Sequence, residues 1–136
     1  MKQQVDFYLL DAGTFAGCFP FVCRLVEKTY QQGFSSLIRV NSEEEAEKLD
    51  ELLWTFRPAS FVPHQRQEKE IRVSKAFGEA MPTVVIECRL VETPQRVEGR
   101  VLQMAPNEPK LLDLARKHYR FYQQEGYLLN NHRVKI

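Results

Sequence analysis

Cysteine is scarce in this sequence, and its three cysteines form no CxxC pair. The odd number of thiols, at Cys18, Cys23 and Cys88, argues against the disulfide framework of a small secreted protein. We therefore expect a reducing, cytoplasmic location. Cys18 or Cys23 would act as a nucleophile only beside a base that the sequence does not identify, so both are expected to be small buried hydrophobes.

An excess of charge of one sign is also lacking, because 19 basic residues are balanced by 18 acidic ones. The balance argues against a protein that coats duplex DNA, which needs a strong positive field. The charges are nevertheless segregated. Six acids lie within residues 43–51, where they are expected to form the solvated face of a helix, and cations gather near the C-terminal end at Arg116, Lys117, Arg120, Arg133 and Lys135.

Long apolar runs are absent, since no segment approaches ~18 consecutive apolar residues. The N-terminus also lacks a cationic region followed by an apolar run and a cleavage site. We therefore expect no membrane association and no targeting segment. With 136 residues and 43% hydrophobic content, the chain is expected to form one domain over residues 1–136.

Nucleotide and metal motifs are missing as well. The first strand-to-helix turn, residues 11–18, has only Gly13 and Gly17 and lacks both GxGxxG and GxxxxGK[ST]. A helix N-terminus attracts anions unaided, so a weak phosphate site there is kept as an alternative to an ordinary loop. The three histidines show neither HExxH spacing nor a nearby cysteine pair, so no zinc site and no cofactor are expected.

What the sequence does contain is an alternation of short strands and helices. Strands are predicted at residues 5–10, 37–40, 71–73, 83–86 and 101–104, with 127–136 as a tail that can add an edge strand. Helices are predicted from about Pro20 to Gly33, after the capping box of Ser42 and Glu45, and over residues 108–125, while 65–70 is expected to be a polar connection. This order predicts an α/β fold, a three-layer sandwich around a largely parallel sheet.

Residues 52–64 place three aromatic side chains where the second helix gives way to a loop. Pro58 and Pro63 stiffen that loop and remove two backbone donors. We predict that Trp54 and Phe61 belong to a surface that binds another protein. The alternative is that Trp54 closes the apolar face of its helix and Phe61 fills the domain's own core.

The last predicted helix has two distinct faces. Its buried face is predicted to hold Leu111, Leu114, Ala115, His118 and Tyr122, with His118 as a hydrogen-bonded core histidine. A second stripe beside it contains Leu112, Arg116, Tyr119 and Arg120. Two guanidiniums beside an aromatic ring suit a peptide that carries carboxylates and an apolar anchor. The alternative is a plain amphipathic helix with its arginines in water.

Several short motifs follow one another in a recognisable order. The sequence opens with Asp6-Phe7-Tyr8-Leu9-Leu10, continues with Cys23-Arg24-Leu25-Val26-Glu27-Lys28, and then reads Leu49-Asp50-Glu51-Leu52-Leu53-Trp54, Arg57-Pro58 and Ser60-Phe61-Val62-Pro63-His64. Leu114-Ala115-Arg116 with Tyr119, Arg120, Tyr122 and Gly126 completes the series. Over nearly its whole length, the chain resembles the chi subunit family of bacterial DNA polymerase III.

The resemblance implies a Rossmann-like fold and a non-catalytic role in the clamp-loader assembly. It also implies two partners, the psi subunit and the acidic, phenylalanine-terminated tail of single-stranded DNA-binding protein, with DNA reached only indirectly. Psi would contact Trp54, Pro58, Phe61 and Val62. The tail would contact Lys110, Leu112, Arg116, Tyr119 and Arg120, and the isolated chain would be a monomer.

Two other functions fit the pattern of residues without the resemblance. One is a small nucleotide-binding α/β enzyme that uses the carboxyl ends of its parallel strands. The other is a generic adaptor whose aromatic loop drives self-association.

Overall fold

The computed structural model describes residues 3–55, 64–73, 83–97 and 99–135. In chain order these residues form β1 (Gln4–Leu10), α1 (Phe15–Gln31), β2 (Ser35–Arg39), α2 (Glu43–Thr55), β3 (His64–Gln67), β4 (Glu70–Val73), β5 (Thr83–Glu87), β6 (Arg100–Pro106), α3 (Pro109–Gln124) and β7 (Leu128–Val134). Each predicted strand overlaps an observed one, and the C-terminal tail does add an edge strand. Within the described ranges, no helix is long and apolar enough to cross a membrane.

The strands form one sheet in the order β3-β4-β2-β5-β6-β1-β7. Strands β2, β5, β6, β1 and β7 are parallel to one another, whereas β4 is antiparallel to β2 and β3 is antiparallel to β4. The α/β class is confirmed. The sheet is mixed, since the pairings of β4 with β2 and of β3 with β4 are antiparallel, so the predicted largely parallel sheet is not confirmed in that form.

The antiparallel part of the sheet arises from a hairpin that was not predicted from the sequence. Residues 65–70 were expected to be a polar connection, but they contribute to β3 and β4, which are joined by a turn of Glu68 and Lys69. A turn this short reverses the chain without a crossover helix, so the two strands must pair antiparallel. Glu68 has a φ of 52°, the positive value that such tight turns require.

Helices cover both faces of the sheet. On β1 the ring of Tyr8 lies 5.2 Å from that of Phe21 in α1, whereas the ring of Phe7 lies 5.5 Å from that of Tyr119 in α3. Consecutive residues of a strand point to opposite faces, so α1 and α3 lie on opposite sides. Helix α2 packs beside α1.

The start of α1 differs from the prediction. The helix begins at Phe15 after Thr14, whose hydroxyl accepts a hydrogen bond from the Gly17 N–H at 3.1 Å, and Pro20 lies inside the helix rather than in its first turn. Proline removes one intrahelical hydrogen bond. The early turns are nevertheless held by the buried side chains of Phe15 and Phe19.

Helix α2 has the predicted cap and the predicted two faces. The Ser42 hydroxyl accepts from the Glu45 N–H at 3.1 Å, and the Glu45 carboxylate accepts from the Asn41 N–H at 3.0 Å. Leu49 and Leu53 are buried with Ala46, while most of the acids face solvent. The acidic run is therefore a solvated helix face, as predicted.

All three cysteines are buried in the core. Burial raises the pKa of Cys18 and of Cys23 to about 12, so both stay thiols near neutral pH. The prediction that they are small buried hydrophobes is confirmed.

Candidate protein-binding site

Helix α3 is capped at both ends by its own sequence. The Glu108 carboxylate accepts a hydrogen bond from the Leu111 N–H at 2.9 Å, Pro109 occupies the first helical position, and Gly126 follows the helix with a φ of 83°. On the inward face Ala115, His118 and Tyr122 are buried. Leu111 and Leu114, also predicted to be buried, are only half-buried.

His118 is the hydrogen-bonded core histidine that the sequence predicts. Its Nε2 lies 2.8 Å from the Val91 carbonyl oxygen and 3.2 Å from the Val91 nitrogen. Both contacts hold the ring through Nε2 against the Val91 backbone. Burial lowers the pKa of His118, so the ring is neutral near pH 7. This side of α3 is therefore bound to the segment that follows β5.

The other flank of α3 carries the residues that we call the α3 stripe: Leu112, Arg116, Tyr119 and Arg120. Leu112 and Tyr119 are half-buried, and the two arginines are exposed. The Tyr119 ring is held at its base by Phe7 of β1. An apolar floor therefore lies beside two outward cations, which is the arrangement that the sequence predicts.

Lys110 is not part of this stripe. At about 100° per residue it lies about 160° from Leu112 around the helix, and residues two apart do not share a helix face. Its side chain is exposed on the solvent side of the first turn. The α3 stripe thus brings together four of the five residues that the resemblance assigned to tail binding.

The positive charge at this end of the molecule is only partly compensated. Arg116 donates from Nη1 to Asp113 Oδ1 at 2.7 Å, but both side chains are mostly exposed, at 65% and 72%, so the pair is weak and easily exchanged. Lys117 pairs with Glu92 at 2.9 Å. Across the described residues, Arg120, Arg133 and Lys135 form no ion pair.

Edge strand β7 contributes residues to the face of the sheet that α3 covers. These residues were not predicted to belong to the site. Leu129, Asn131 and Arg133 pair in register with Val5, Phe7 and Leu9 of β1. Register partners point to the same face, so these β7 residues share the face of Phe7 and hence of α3. The sequence carries no local signal for this placement, because it depends on the pairing of β7 with β1.

A buried carboxylate fastens β7 to the rest of the sheet from the opposite face. Asp6 accepts from Arg100 Nε at 3.1 Å and lies 3.1 Å from His132 Nε2 of β7, whose ring stacks on Tyr8. Burial alone would raise the pKa of Asp6, but the His132 hydrogen bond and the Arg100 charge outweigh burial and lower it. The edge strand is thereby held in register.

The second predicted surface lies at the far end of the sheet. Trp54, at the end of α2, is 51% exposed, and its ring lies 4.8 Å from that of His64 at the start of β3. His64 Nε2 in turn lies 3.0 Å from Asp50 Oδ1. Leu49 and Leu53, rather than Trp54, line the buried face of α2. Pro58, Phe61 and Val62 lie outside the described residues.

The turn before α1 has the features of an ordinary helix start. Thr14 satisfies the Gly17 N–H, and a Cβ on Gly17 would come within 3.0 Å of the Ala12 Cβ, which accounts for the glycine by packing. Among the described residues, no group of three His, Cys, Asp or Glu side chains is placed to hold a metal ion. The geometry here gives the phosphate-binding alternative no support.

Comparison with known proteins agrees with the sequence motifs. A family model described as DNA polymerase III chi subunit, HolC, matches residues 1–130. The DNA polymerase III subunit chi of Pseudomonas aeruginosa is 32% identical, with 96% of each chain covered. That of Escherichia coli strain K12 is 29% identical, covering 94% of this chain and 96% of the relative.

Proposed function

Because the chain belongs to the family of DNA polymerase III chi subunits, we propose that it is a non-catalytic replication subunit that links the clamp loader to single-stranded DNA-binding protein. In this role it binds the psi subunit at one end and the acidic C-terminal tail of the single-stranded DNA-binding protein at the other. It reaches DNA only through the coated strand. Its location in this role is the cytoplasm.

The observation that supports tail binding is the composition of the α3 stripe. Arg116 and Arg120 are exposed beside the half-buried ring of Tyr119. Guanidiniums form charge-assisted hydrogen bonds with carboxylates, and a supported tyrosine ring with Leu112 offers an apolar contact for a terminal phenylalanine. The nearby cations that form no ion pair with a described residue would attract an acidic peptide before it docks.

We expect one tail to bind this protein weakly, and the many tails on a coated DNA strand to hold the polymerase assembly strongly. Exposed ion pairs contribute about 0.2–1 kcal/mol each and are screened by salt. A coated DNA strand presents many copies of the tail, which raises the effective concentration and holds the polymerase assembly on its template. Tethering of this kind requires no catalysis by the chi-like chain.

The proposed psi surface combines Trp54 with Pro58, Phe61 and Val62. Its support among the described residues is Trp54, a tryptophan with about half of its surface in solvent, whose ring packs against His64. Exposed tryptophans are frequent anchors of protein–protein interfaces. The two proposed surfaces lie at opposite ends of one sheet, so both partners can bind at once.

The test of tail binding is a titration of a labelled acidic peptide ending in Pro-Phe. Arg116→Ala should weaken binding about tenfold at low salt, and high salt should weaken the wild-type complex. Arg24→Ala removes an exposed arginine from α1 and serves as the matched control. Asp113→Ala should tighten binding, because it releases Arg116 from its ion pair. Equal affinities of wild type and Arg116→Ala would refute the assignment.

A further inference from the structure

The outer edge of β7 presents backbone groups that form no hydrogen bond with the described residues. The Leu128 N–H donates to the Gln3 carbonyl at 2.9 Å, and the Val134 carbonyl accepts from the Asp11 N–H at 3.2 Å. In a parallel ladder, residues that bond to the same neighbour alternate along the strand. Hence the N–H and C=O groups of Leu129, Asn131 and Arg133 point away from β1, toward solvent.

This edge is long enough to pair with another strand. β7 spans 7 residues and ends the strand order, with no strand beyond it in the described part of the chain. Long exposed edges are templates for strand addition. The side chains of Leu129, Asn131 and Arg133 face the same side as α3, so an added strand would run beside the α3 stripe.

The charges decide what kind of strand fits. Three cations of this protein form no ion pair with a described residue: Arg133 in β7, Lys135 directly after β7, and Arg120 in α3. A second copy paired antiparallel through β7 would set each Arg133 opposite Leu129 of the other copy, and β7 holds no acidic residue that could pair with these cations. An extended acidic peptide would instead place carboxylates among them.

We infer that the acidic residues before the terminal aromatic of the tail add to β7 as an eighth strand, through main-chain hydrogen bonds with Leu129, Asn131 and Arg133. This inference rests on the proposed tail binding and supplies its geometry. The added strand gives sequence-tolerant affinity, as in other β-strand additions, while the α3 stripe selects the terminal aromatic. Part of the affinity should therefore persist at high salt.

The test uses two tail peptides that are N-methylated at alternate residues. One peptide carries the methyl groups at its odd positions and the other at its even positions. Only one set removes the N–H groups that face β7, so one peptide should bind about tenfold or more weakly than the other. In the protein, Asn131→Pro should weaken binding of the unmodified peptide. Asn131→Ala, which keeps the backbone N–H, should not. Proline is tolerated at such a position because that N–H makes no bond within the sheet.

The possible results separate the two proposals. Equal binding of both methylated peptides, with Arg116→Ala still weakening the complex, would overturn strand addition and leave the tail site standing. No binding of the unmodified peptide would overturn both. A concentration-dependent dimer of the free protein that Asn131→Pro abolishes would assign the edge to a second copy and overturn the inference.

Discussion

The two edges of the sheet are built differently. At one edge, β7 runs parallel to β1 for 7 residues, carries Arg133, which forms no ion pair with a described residue, and is fastened by the buried carboxylate of Asp6. At the other, β3 and β4 are strands of 4 residues in an antiparallel hairpin, next to the acidic helix α2 and the exposed Trp54. The difference in strand pairing and in anchoring makes each edge suited to a different partner.

The two surfaces should be separable, because they rest on different strands of the sheet. The α3 stripe rests on β1 through Phe7, whereas Trp54 rests on His64 at the start of β3, and strands β4, β2, β5 and β6 lie between β3 and β1. A rigid sheet carries little coupling between such distant contacts unless it has two arrangements.

The largest expected effect is the loss of affinity for psi when the Trp54 side chain is removed. Trp54→Ala should weaken binding of purified psi by about 30-fold, or about 2 kcal/mol, because an exposed tryptophan is a typical interface anchor. Binding of the tail peptide should stay unchanged. Isothermal titration with each partner in turn measures both affinities.

The fluorescence of Trp54 supplies a second measurement of the same contact. Trp54 is the single tryptophan of the chain, so its fluorescence reports on that edge alone. Psi should change the emission and the tail peptide should not. A response to the tail peptide would show that the two edges are coupled, and unchanged psi affinity in Trp54→Ala would remove the tryptophan from the proposed interface.

The next largest effect concerns the anchor of β7. Asp6→Asn should destabilise the fold by about 1–2 kcal/mol near neutral pH, because it weakens the contacts with Arg100 and His132. The folded-state pKa of Asp6 is lowered, so its stabilisation is present above the ordinary aspartate pKa and is lost as pH falls through the folded value. Urea unfolding from neutral to acidic pH measures the difference.

Two observations would contradict this assignment of Asp6. One is a stability difference between wild type and Asp6→Asn that persists unchanged at the acidic end of the range. The other is weaker psi binding in the variant, since the β3–β4 edge makes no contact with Asp6.

The smallest effect concerns the hairpin. Glu68 holds a positive φ of 52°, which costs a non-glycine residue free energy. Glu68→Gly should stabilise the protein by about 0.5 kcal/mol, the relief of strain exceeding the extra freedom of glycine in the unfolded chain. Lys69→Gly has no positive φ to relieve and should not stabilise. A melting temperature of Glu68→Gly at or below that of wild type would refute the argument.

The elements that could be predicted from sequence are those whose signals are local. The capping pair of Ser42 and Glu45, the apolar spacing of α3 and the buried run of β5 each act within a few residues. The β3–β4 hairpin was missed because its residues are mostly polar and its turn has neither glycine nor asparagine. Polar edge strands carry little of the alternation that identifies a strand.

The residues of the candidate site also differ in whether a local pattern predicts them. The α3 stripe follows from helical periodicity, which is why Arg116 and Tyr119 could be named from sequence. Arg133, and the backbone edge of Asn131, depend on the pairing of β7 with β1, a contact between the two ends of the chain. No local pattern encodes that pairing, and nothing in the sequence names Arg100 and His132 as the partners of Asp6, which fastens it.

The most direct test of the central claim is a charge exchange across the proposed tail contact. Arg120→Glu should weaken binding of the acidic peptide by about tenfold, and replacing the one tail aspartate that faces residue 120 by lysine should recover affinity for the variant while weakening binding to wild type. Arg24→Glu, on the exposed face of α1, should leave the affinity for both peptides near wild type. A loss of affinity in Arg120→Glu that no lysine peptide restores, or an unchanged affinity of that variant for the acidic peptide, would contradict an acidic tail docked on the α3 stripe.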